Sequence, residues 1–265
     1  MPEVELFSWN PRWPVWPGRG KRFVPIRRPV NNFGDLLGPM IAERLRRLAG
    51  LPDEASKASR LLSVGSILHL AEDGDVIWGS GVNGKISPDS HGFSFLDVRA
   101  VRGPLTRAFL QSRGISVPQV FGDPALLLPH VAPELRSAAC HKRHGVTIVP
   151  NLEDLRRHGS LRLHPNVLNP RSGLRRCLYR IVRSELVVGS SLHAIIVAEA
   201  FSIPARVVTS EVENPFKYSD YYAGTGRPSY SPAPTISEAV RAGGEPLPIL
   251  SVQPLLDAFP VDLWK

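Results

Sequence analysis

Cysteine, lysine and long apolar segments are all scarce in this chain of 265 residues. Its two cysteines, Cys140 and Cys177, are too few for a disulfide framework, which is typical of a reducing compartment. No apolar run approaches the roughly 20 residues that a membrane-spanning helix needs. The amino-terminal residues Met-Pro-Glu-Val-Glu show neither the basic nor the apolar region of a signal peptide. We therefore expect a cytoplasmic protein, either free or peripheral to the inner face of the cell membrane.

The net charge is strongly positive, and almost all of the excess comes from arginine. The formal charge is +8, with 26 arginines and only six lysines. Arginine binds carboxylates and phosphates through paired hydrogen bonds, which favours an anionic ligand or an anionic membrane surface. A GC-rich coding bias explains the same composition equally well. Because the basic residues are scattered and not interleaved with aromatic residues, we do not expect nucleic-acid binding.

Short apolar strands that alternate with helices predict an α/β protein with parallel sheets. Two successive series of such units predict two Rossmann-like domains with a cleft between them, over residues 1–138 and 139–228. Residues 229–265 form a tail of helices that packs back across the domains. Residues 132–144 read as a charged linker, and Trp9, Trp13 and Trp16 are expected to be buried in an ordered segment. The predicted strands are 60–64, 75–78, 96–102, 118–121, 145–149, 161–164, 185–188 and 205–208, and the predicted helices are 35–49, 104–113, 152–158, 173–184, 191–201, 236–242 and 252–259.

The segment Ser190-Ser191-Leu192-His193-Ala194 joins a predicted buried strand to an apolar helix. With Ser190 or Ser191 as the N-cap, His193 falls in the first helical turn beside free backbone amides. The helix dipole favours the neutral imidazole, whereas a bound anion would hold its proton. His193 is therefore a candidate general acid. The alternative is a core histidine that is satisfied by a backbone carbonyl.

Two further turns at predicted strand ends are candidate ligand sites. Arg99 and Arg102 precede a helix that opens at Pro104, so they are candidates for a phosphate or carboxylate clamp. They are also compatible with a solvated surface turn. The Gly79-Ser80-Gly81 turn allows a ligand to approach the backbone closely. It carries neither the full dinucleotide fingerprint nor the Walker lysine.

Polar residues in two other places complete the candidate site. Asn32 and Asp35 stand where a loop becomes a helix, so they either contact the ligand or cap the helix. Lys217 lies among aromatic residues between Phe216 and Tyr222, as in a sugar or anion contact region or in a packed aromatic loop. The Cys140-His141-x-x-His144 spacing is superficially metal-like, but it lacks a fourth ligand, and we expect no metal site.

Taken in order, five segments resemble the polysaccharide pyruvyl transferase family, and the resemblance runs from about residue 31 to 225. The stretch from Asn214 to Arg227 is similar to bacterial exopolysaccharide enzymes of the succinoglycan type. The family's usual Arg-Asp pair reads Arg102-Gly103 here, which removes a carboxylate contact. The five segments are Asn31-Asn32-Phe33-Gly34-Asp35, Trp78-Gly79-Ser80-Gly81, the run from Val98 to Thr106, Phe121-Gly122-Asp123-Pro124-Ala125, and the run from Gly189 to Ala194.

This resemblance implies a GT-B-like pair of domains and phosphoenolpyruvate as the donor, with no cofactor and no metal. It implies a sugar acceptor, in an exopolysaccharide or its lipid-linked precursor, and a pyruvate ketal as the product. By the same resemblance His193 is the general acid, Arg102 holds the donor and Lys217 lies near it. The expected substrate-binding residues are Arg99, Arg102, Lys217, Ser190, Ser191, Gly79, Ser80, Gly81, Asn32 and Asp35.

Two alternatives remain open at this point. A GT-B glycosyltransferase that uses a nucleotide sugar would bind a diphosphate at the same helix terminus, with His193 acting as a base. A non-catalytic protein of a polysaccharide-assembly complex would use the same turns for structure alone.

Overall fold

The computed structural model describes residues 2–14 and 26–265, so Trp16, which we expected to be buried, lies outside the described residues. The described strands are β1 (Val4–Phe7), β2 (Arg12–Pro14), β3 (Arg27–Pro29), β4 (Ser59–Leu62), β5 (Val76–Trp78), β6 (Asp97–Ala100), β7 (His144–Ile148), β8 (Ser184–Gly189) and β9 (Ala205–Val207). The α-helices in the same ranges are α1 (Leu37–Leu48), α2 (Pro104–Ser112), α3 (Leu128–Val131), α4 (Pro133–Ala139), α5 (Leu152–Arg157), α6 (Leu174–Val182), α7 (Leu192–Ala200), α8 (Phe216–Gly224), α9 (Ile236–Ala242) and α10 (Gln253–Asp257).

Two parallel sheets organise the chain. The larger sheet has the order β1-β4-β5-β6 and the smaller one has the order β7-β8-β9. All paired strands within these two sheets run parallel, whereas β2 and β3 form a separate antiparallel pair. All three residues of β5 are buried, as a strand covered on both faces requires. The predicted α/β class with parallel sheets is confirmed.

A single cluster of buried apolar side chains contains residues from both sheets and from α1 and α7. Helix α7 is apolar on nearly every side, because it is enclosed by the smaller sheet, α6 and the segment Pro124–Leu127. The carboxyl-terminal segment packs on the larger sheet, where the Trp78 indole donates a 2.9 Å hydrogen bond to the Leu255 carbonyl. This enclosure holds the amino terminus of α7 in a defined position.

Several local expectations were wrong. Residues 132–144 are not a linker, since α4 opens at Pro133 and buries Leu135 and Ala138. The charged residues around those two apolar side chains concealed a short amphipathic helix. The predicted strand at 161–164 is absent, because residues 161–163 belong to the 3-10 helix Gly159–Leu163 and His164 is its C-cap.

Other differences lie at the edges of the sheets. The predicted strand at 118–121 is reduced to one bridge between Val101 and Phe121. The amino-terminal segment, in which no strand was predicted, contributes β1 to the larger sheet through pairing with β4. Within residues 2–14 and 26–265, no helix is long and apolar enough to cross a membrane.

Candidate active site

A pocket of about 380 Å³ lies where loops at the carboxyl ends of strands from both sheets meet. Ser66 follows β4, Asn83 follows β5, Asn151 follows β7, and Ser191 follows β8. Carboxyl ends of parallel strands are the usual location of ligand sites in α/β proteins. Five of the residues predicted from the sequence line the pocket: Asn32, Asp35, Ser191, His193 and Lys217.

His193 occupies the first turn of α7, directly after the N-cap Ser191. The Ser191 side chain makes no capping hydrogen bond within the described chain, so it is available to the pocket. Burial lowers the pKa of His193 to about 3, and the charges of Lys217 and Arg102 add to this effect. The imidazole is therefore neutral at neutral pH in the ligand-free protein. A negative charge placed beside the ring would act to raise this pKa, because an opposite charge favours the protonated form.

Gly34 determines how closely the loop before α1 approaches this ring. A β-carbon on Gly34 would overlap the imidazole at Nδ1. Only glycine is compatible with this approach of the backbone to His193. The contact brings Asn32 and Asp35, on either side of Gly34, to the wall of the same pocket.

Asp35 carries a perturbed carboxyl group in this wall. Burial raises its pKa to about 6, although the Asn32 hydrogen bond and the Lys217 charge act in the opposite direction. The Asn32 side-chain amide donates to Oδ2 of Asp35 at 2.6 Å. The N-cap of α1 is Leu36, and no side chain of the described residues bonds there, so neither polar residue caps the helix. Of the two roles considered for this pair, lining of the pocket agrees with the structure.

Lys217, in the first turn of α8, is held by Glu213. Its Nζ lies 2.7 Å from one oxygen of Glu213, and Nζ of Lys85 lies 3.1 Å from the other. Burial lowers the pKa of Lys217, and Glu213 partly offsets this. Burial acts to raise the pKa of Glu213, but the two lysines outweigh it and the pKa lies below its ordinary value. Glu213 and Lys85 were missed by sequence reasoning; the spacing of four residues between Glu213 and Lys217 was the available signal.

Arg102 differs from its expected role as a direct ligand of the donor. The guanidinium is buried and donates to Asp220 Oδ2 at 3.1 Å, to Ser66 Oγ at 2.5 Å and to the Val82 carbonyl at 2.8 Å. It does not belong to the pocket wall, because the protein itself satisfies its donors. Its charge still lowers the pKa of His193, so Arg102 acts on the site through space.

Asp220 supplies the carboxylate that the chain lacks directly after Arg102. A β-carbon on Gly103 would overlap the backbone and carboxylate of Asp220. Thr106 also binds Asp220, with its backbone amide at 2.9 Å from Oδ1 and its hydroxyl at 2.6 Å from Oδ2. Because Gly103 has no side chain, α8 can pack directly against it. Asp220 of α8 then provides the carboxylate that binds Arg102.

Arg99 lies away from the pocket, which corrects the predicted clamp. It forms ion pairs with Asp97 at 2.6 Å and with Asp262 at 2.8 Å, and both carboxylates raise its pKa. Asp97 and Arg99 are two positions apart on β6 and share a face of the strand. That face meets the carboxyl-terminal segment, so Arg99 anchors this segment.

The Gly79-Ser80-Gly81 turn lies outside the pocket wall and makes close packing contacts. Gly79 adopts a φ of +88°, and a β-carbon there would overlap Pro124. The Ser80 hydroxyl donates to the Gly65 carbonyl at 3.0 Å. A β-carbon on Gly81 would overlap the Arg102 guanidinium. Small residues are needed at positions 79 and 81 for these close contacts.

Ser190 also lies outside the pocket wall and makes internal hydrogen bonds. Its hydroxyl donates to the Asp154 carboxylate and accepts a 3.1 Å hydrogen bond from the Asn151 amide. Its carbonyl accepts a 2.7 Å hydrogen bond from the Tyr218 hydroxyl. The two serines therefore differ in position: Ser190 hydrogen-bonds to residues around the end of β8, whereas Ser191 lines the pocket.

Trp9 and Trp13 also line the pocket, although burial was expected for both. Their ring centroids are 6.0 Å apart, with the planes inclined at 82°. Trp13 is 46% exposed, so its indole forms part of an accessible wall. His69 lines the pocket as well, and nothing in its local sequence signalled this.

The fold and the site together define an α/β protein with a pocket at the carboxyl ends of two parallel sheets, lined by His193, Lys217 and Lys85 among others. The chain belongs to the polysaccharide pyruvyl transferase family, whose sequence profile matches residues 2–211. It is therefore a transferase enzyme of that family, and the resemblance stated from its motifs is confirmed. This membership sets aside a purely non-catalytic role.

A curated protein similar to this chain is named as a succinoglycan biosynthesis protein. The chain is 31% identical over 228 residues to the succinoglycan biosynthesis protein ExoV of Rhizobium meliloti (strain 1021). The aligned region covers 80% of this chain and 68% of that protein. No solved structure matches the chain significantly.

Proposed function

We propose that this enzyme transfers the pyruvyl group of phosphoenolpyruvate to two hydroxyls of one sugar, forming a pyruvate ketal. The acceptor belongs to an exopolysaccharide or to its lipid-linked precursor. The observation that carries the proposal is the neutral His193 beside Lys217 and the amino terminus of α7 in one pocket. The name of the relative, a succinoglycan biosynthesis protein, supports an exopolysaccharide acceptor.

The donor binds beside two lysines, in a pocket whose lining also includes the carboxyl groups of Asp35 and Glu153. Lys217 and Lys85 are paired with a single carboxylate, Glu213, and the Arg102 charge lies behind the wall. The phosphate and carboxylate of the donor bind these lysines and the free amides of α7. Their negative charge opposes the effect of Lys217 and Arg102 on His193, and the imidazole takes up a proton.

Protonated His193 then delivers its proton to the methylene carbon of the donor, which becomes a methyl group. Positive charge develops at C2, where the oxygen of the first sugar hydroxyl forms a bond. The C2–O bond to phosphate breaks, inorganic phosphate leaves, and the second hydroxyl adds at C2 to close the ketal. One hydroxyl proton restores His193 and the other leaves with phosphate. The helix amides and lysines stabilise the charge on the leaving phosphate.

We also propose that the two parallel sheets belong to two Rossmann-like domains in a GT-B-like arrangement, over residues 1–138 and 139–228. Residues 229–265 form their shared tail. The pocket at the carboxyl ends of both sheets supports this arrangement. We place the reaction in the cytoplasm, with peripheral membrane contact when the acceptor is lipid-linked.

Incubation with phosphoenolpyruvate and pyranose acceptors tests the function directly. We expect release of inorganic phosphate and an acceptor whose mass grows by one pyruvate less one water. His193→Ala should abolish both signals, whereas His130→Ala, an exposed residue outside the pocket, should leave them unchanged. A glycosyltransferase would release nucleotide from a nucleotide sugar instead. Full activity in a folded His193→Ala protein would contradict the proposal.

A further inference from the structure

The Trp9–Trp13 pair is a part of the pocket wall that the proposed donor contacts do not use. Both rings line the pocket that contains His193, and Trp13 remains 46% exposed. Large aromatic rings normally bury their area in the core or at an interface, so an exposed indole on a pocket wall indicates a ligand surface.

The segment that carries the two rings is fixed to the inner part of the site. The backbone amide of Asn31 donates to Oδ1 of Asn10 at 2.8 Å, and the Asn10 amide returns a bond to Oδ1 of Asn31 at 3.2 Å. The Val30 amide donates to the Pro11 carbonyl at 3.0 Å. Asn31 is followed directly by Asn32 of the pocket wall. The rings therefore hold a set position relative to Asn32 and Asp35.

Each tryptophan is also supported from its own side. Trp9 packs against the apolar cluster that contains Leu62 and Ile67. Trp13 lies on β2 and pairs with Arg28 on β3. The two ring planes are inclined at 82°, and Trp13 keeps 46% of its surface exposed beside Trp9. A rigid aromatic face costs little conformational entropy when a ligand covers it.

We propose that Trp9 and Trp13 form the acceptor subsite, on which the apolar face of a pyranose ring stacks. This inference rests on the proposed function and names the residues that receive its second substrate. A pyranose presents C–H groups on one face and hydroxyls around its edge, which matches an indole flanked by polar side chains. Asn83 and His69, which line the same pocket, supply hydrogen-bonding groups for those hydroxyls.

Size and charge assign the rings to the acceptor and not to the donor. A pocket of about 380 Å³ accommodates a drug-sized ligand, and phosphoenolpyruvate alone does not fill it. The donor is small and multiply charged, and it needs the cations around Lys217. An uncharged indole offers it nothing comparable. A stacked sugar places its hydroxyls in the same cavity as the donor carbon that they attack.

Three substitutions of Trp13 distinguish the effect of its aromatic ring from the effect of its apolar volume. We expect Trp13→Ala to raise the acceptor KM about tenfold with little change in kcat, because it removes a stacking surface and no reacting group. Trp13→Phe should retain most of the affinity, whereas Trp13→Leu, apolar but without a ring, should resemble Trp13→Ala. The Kd of phosphoenolpyruvate, measured by calorimetry, should be the same in all four proteins.

Binding without turnover provides an independent readout. Cellobiose and lactose are titrated against the intrinsic tryptophan fluorescence of the wild-type protein and of Trp13→Ala. Saturable quenching in the wild type that is lost in Trp13→Ala supports the subsite even if no pyruvyl transfer is detected. Failure of the subsite proposal is therefore distinguishable from failure of the proposed function. Absence of phosphoenolpyruvate binding and of phosphate release would instead contradict the proposed function alone.

Three results would overturn the subsite. The first is an acceptor KM that is unchanged in Trp13→Ala. The second is an acceptor KM that is equally close to the wild-type value in Trp13→Leu and Trp13→Phe. The third is the absence of saturable quenching of wild-type fluorescence by either disaccharide. A membrane contact is the remaining use of exposed tryptophans. Loss of binding to phosphatidylglycerol vesicles in Trp13→Ala, together with unchanged sugar binding, would assign the rings to the membrane and overturn the proposal.

Discussion

Gly34 lies directly against the imidazole of His193, so closely that a β-carbon at position 34 would overlap Nδ1. The loop before α1 and the first turn of α7 meet at this point. The contact joins two segments of the chain that are 159 positions apart, and it places Asp35 in the same pocket as the histidine.

Gly34→Ala should displace the ring and lower kcat about 100-fold, because a shift of about 1 Å at a catalytic group has that order of effect. Phosphate release under saturating substrates measures it. Gly92→Ala is the matched control, since no described heavy atom lies within 4 Å of its β-carbon position. A Gly34→Ala enzyme with wild-type kcat would show that the position of His193 is not critical.

Donor binding should be accompanied by proton uptake. The pKa of His193 is lowered to about 3 in the free protein, so the ring is neutral at neutral pH. A bound anion raises this pKa, and the protein takes up a proton; by linkage, the donor Kd must fall as pH falls. Calorimetry at about pH 8, where the donor phosphate is fully ionised, in buffers of different ionisation enthalpy counts the protons. His193→Gln should abolish the uptake, and an unchanged proton count in that variant would assign the uptake to another group.

Lys217→Met should change the histidine and the donor affinity together. Loss of this charge removes one of the causes that lower the pKa of His193, so that pKa should rise. Donor binding should weaken about tenfold or more, because a direct partner of the anion is lost. Imidazole resonances followed by NMR across pH, and calorimetry with phosphoenolpyruvate, measure the two effects. Lys57→Met, at an exposed position, should change neither. A rise in Kd without a change in the pKa would separate Lys217 from His193.

The ion pairs of Arg99 and Arg102 should differ in their contribution to the free energy of unfolding. Asp220→Ala leaves Arg102 buried without its carboxylate and should cost about 3–5 kcal/mol of unfolding free energy. Asp262→Ala breaks the partly exposed pair with Arg99 and should cost less than about 1 kcal/mol. Urea unfolding of both variants provides the comparison. Similar losses would show that burial does not distinguish the two pairs.

Local patterns predicted much of the fold. The apolar run before Gly189, the serines after it and the apolar segment that follows are neighbours in the chain, so β8 and α7 were predicted close to their observed bounds. The position of His193 in the first turn depends on the same local rules. Residues 132–144 show where local patterns fail to predict the fold. Their charged residues suggested a linker, but α4 forms there because it packs against α6.

The same distinction applies to the site. His193, Lys217, Asn32 and Asp35 were identified from their positions beside predicted turns and helices, and they line one pocket. Arg102 satisfied the same local criteria, yet its guanidinium is bound by Asp220, 118 positions away in the chain. No local pattern reports which arginine will be enclosed by a distant helix.

The sequence by itself determined the class of fold, the family and the histidine at the start of α7, because strand, turn and helix signals act over a few residues. Only the tertiary structure decided which charges face the pocket. Arg99 forms an ion pair with Asp262, and Arg102 forms one with Asp220, so neither lines the pocket. Residues that the sequence did not indicate line it instead: Glu213, Lys85, Trp9 and Trp13. These assignments depend on packing between segments that are far apart in the chain, where desolvation and steric fit select the partner.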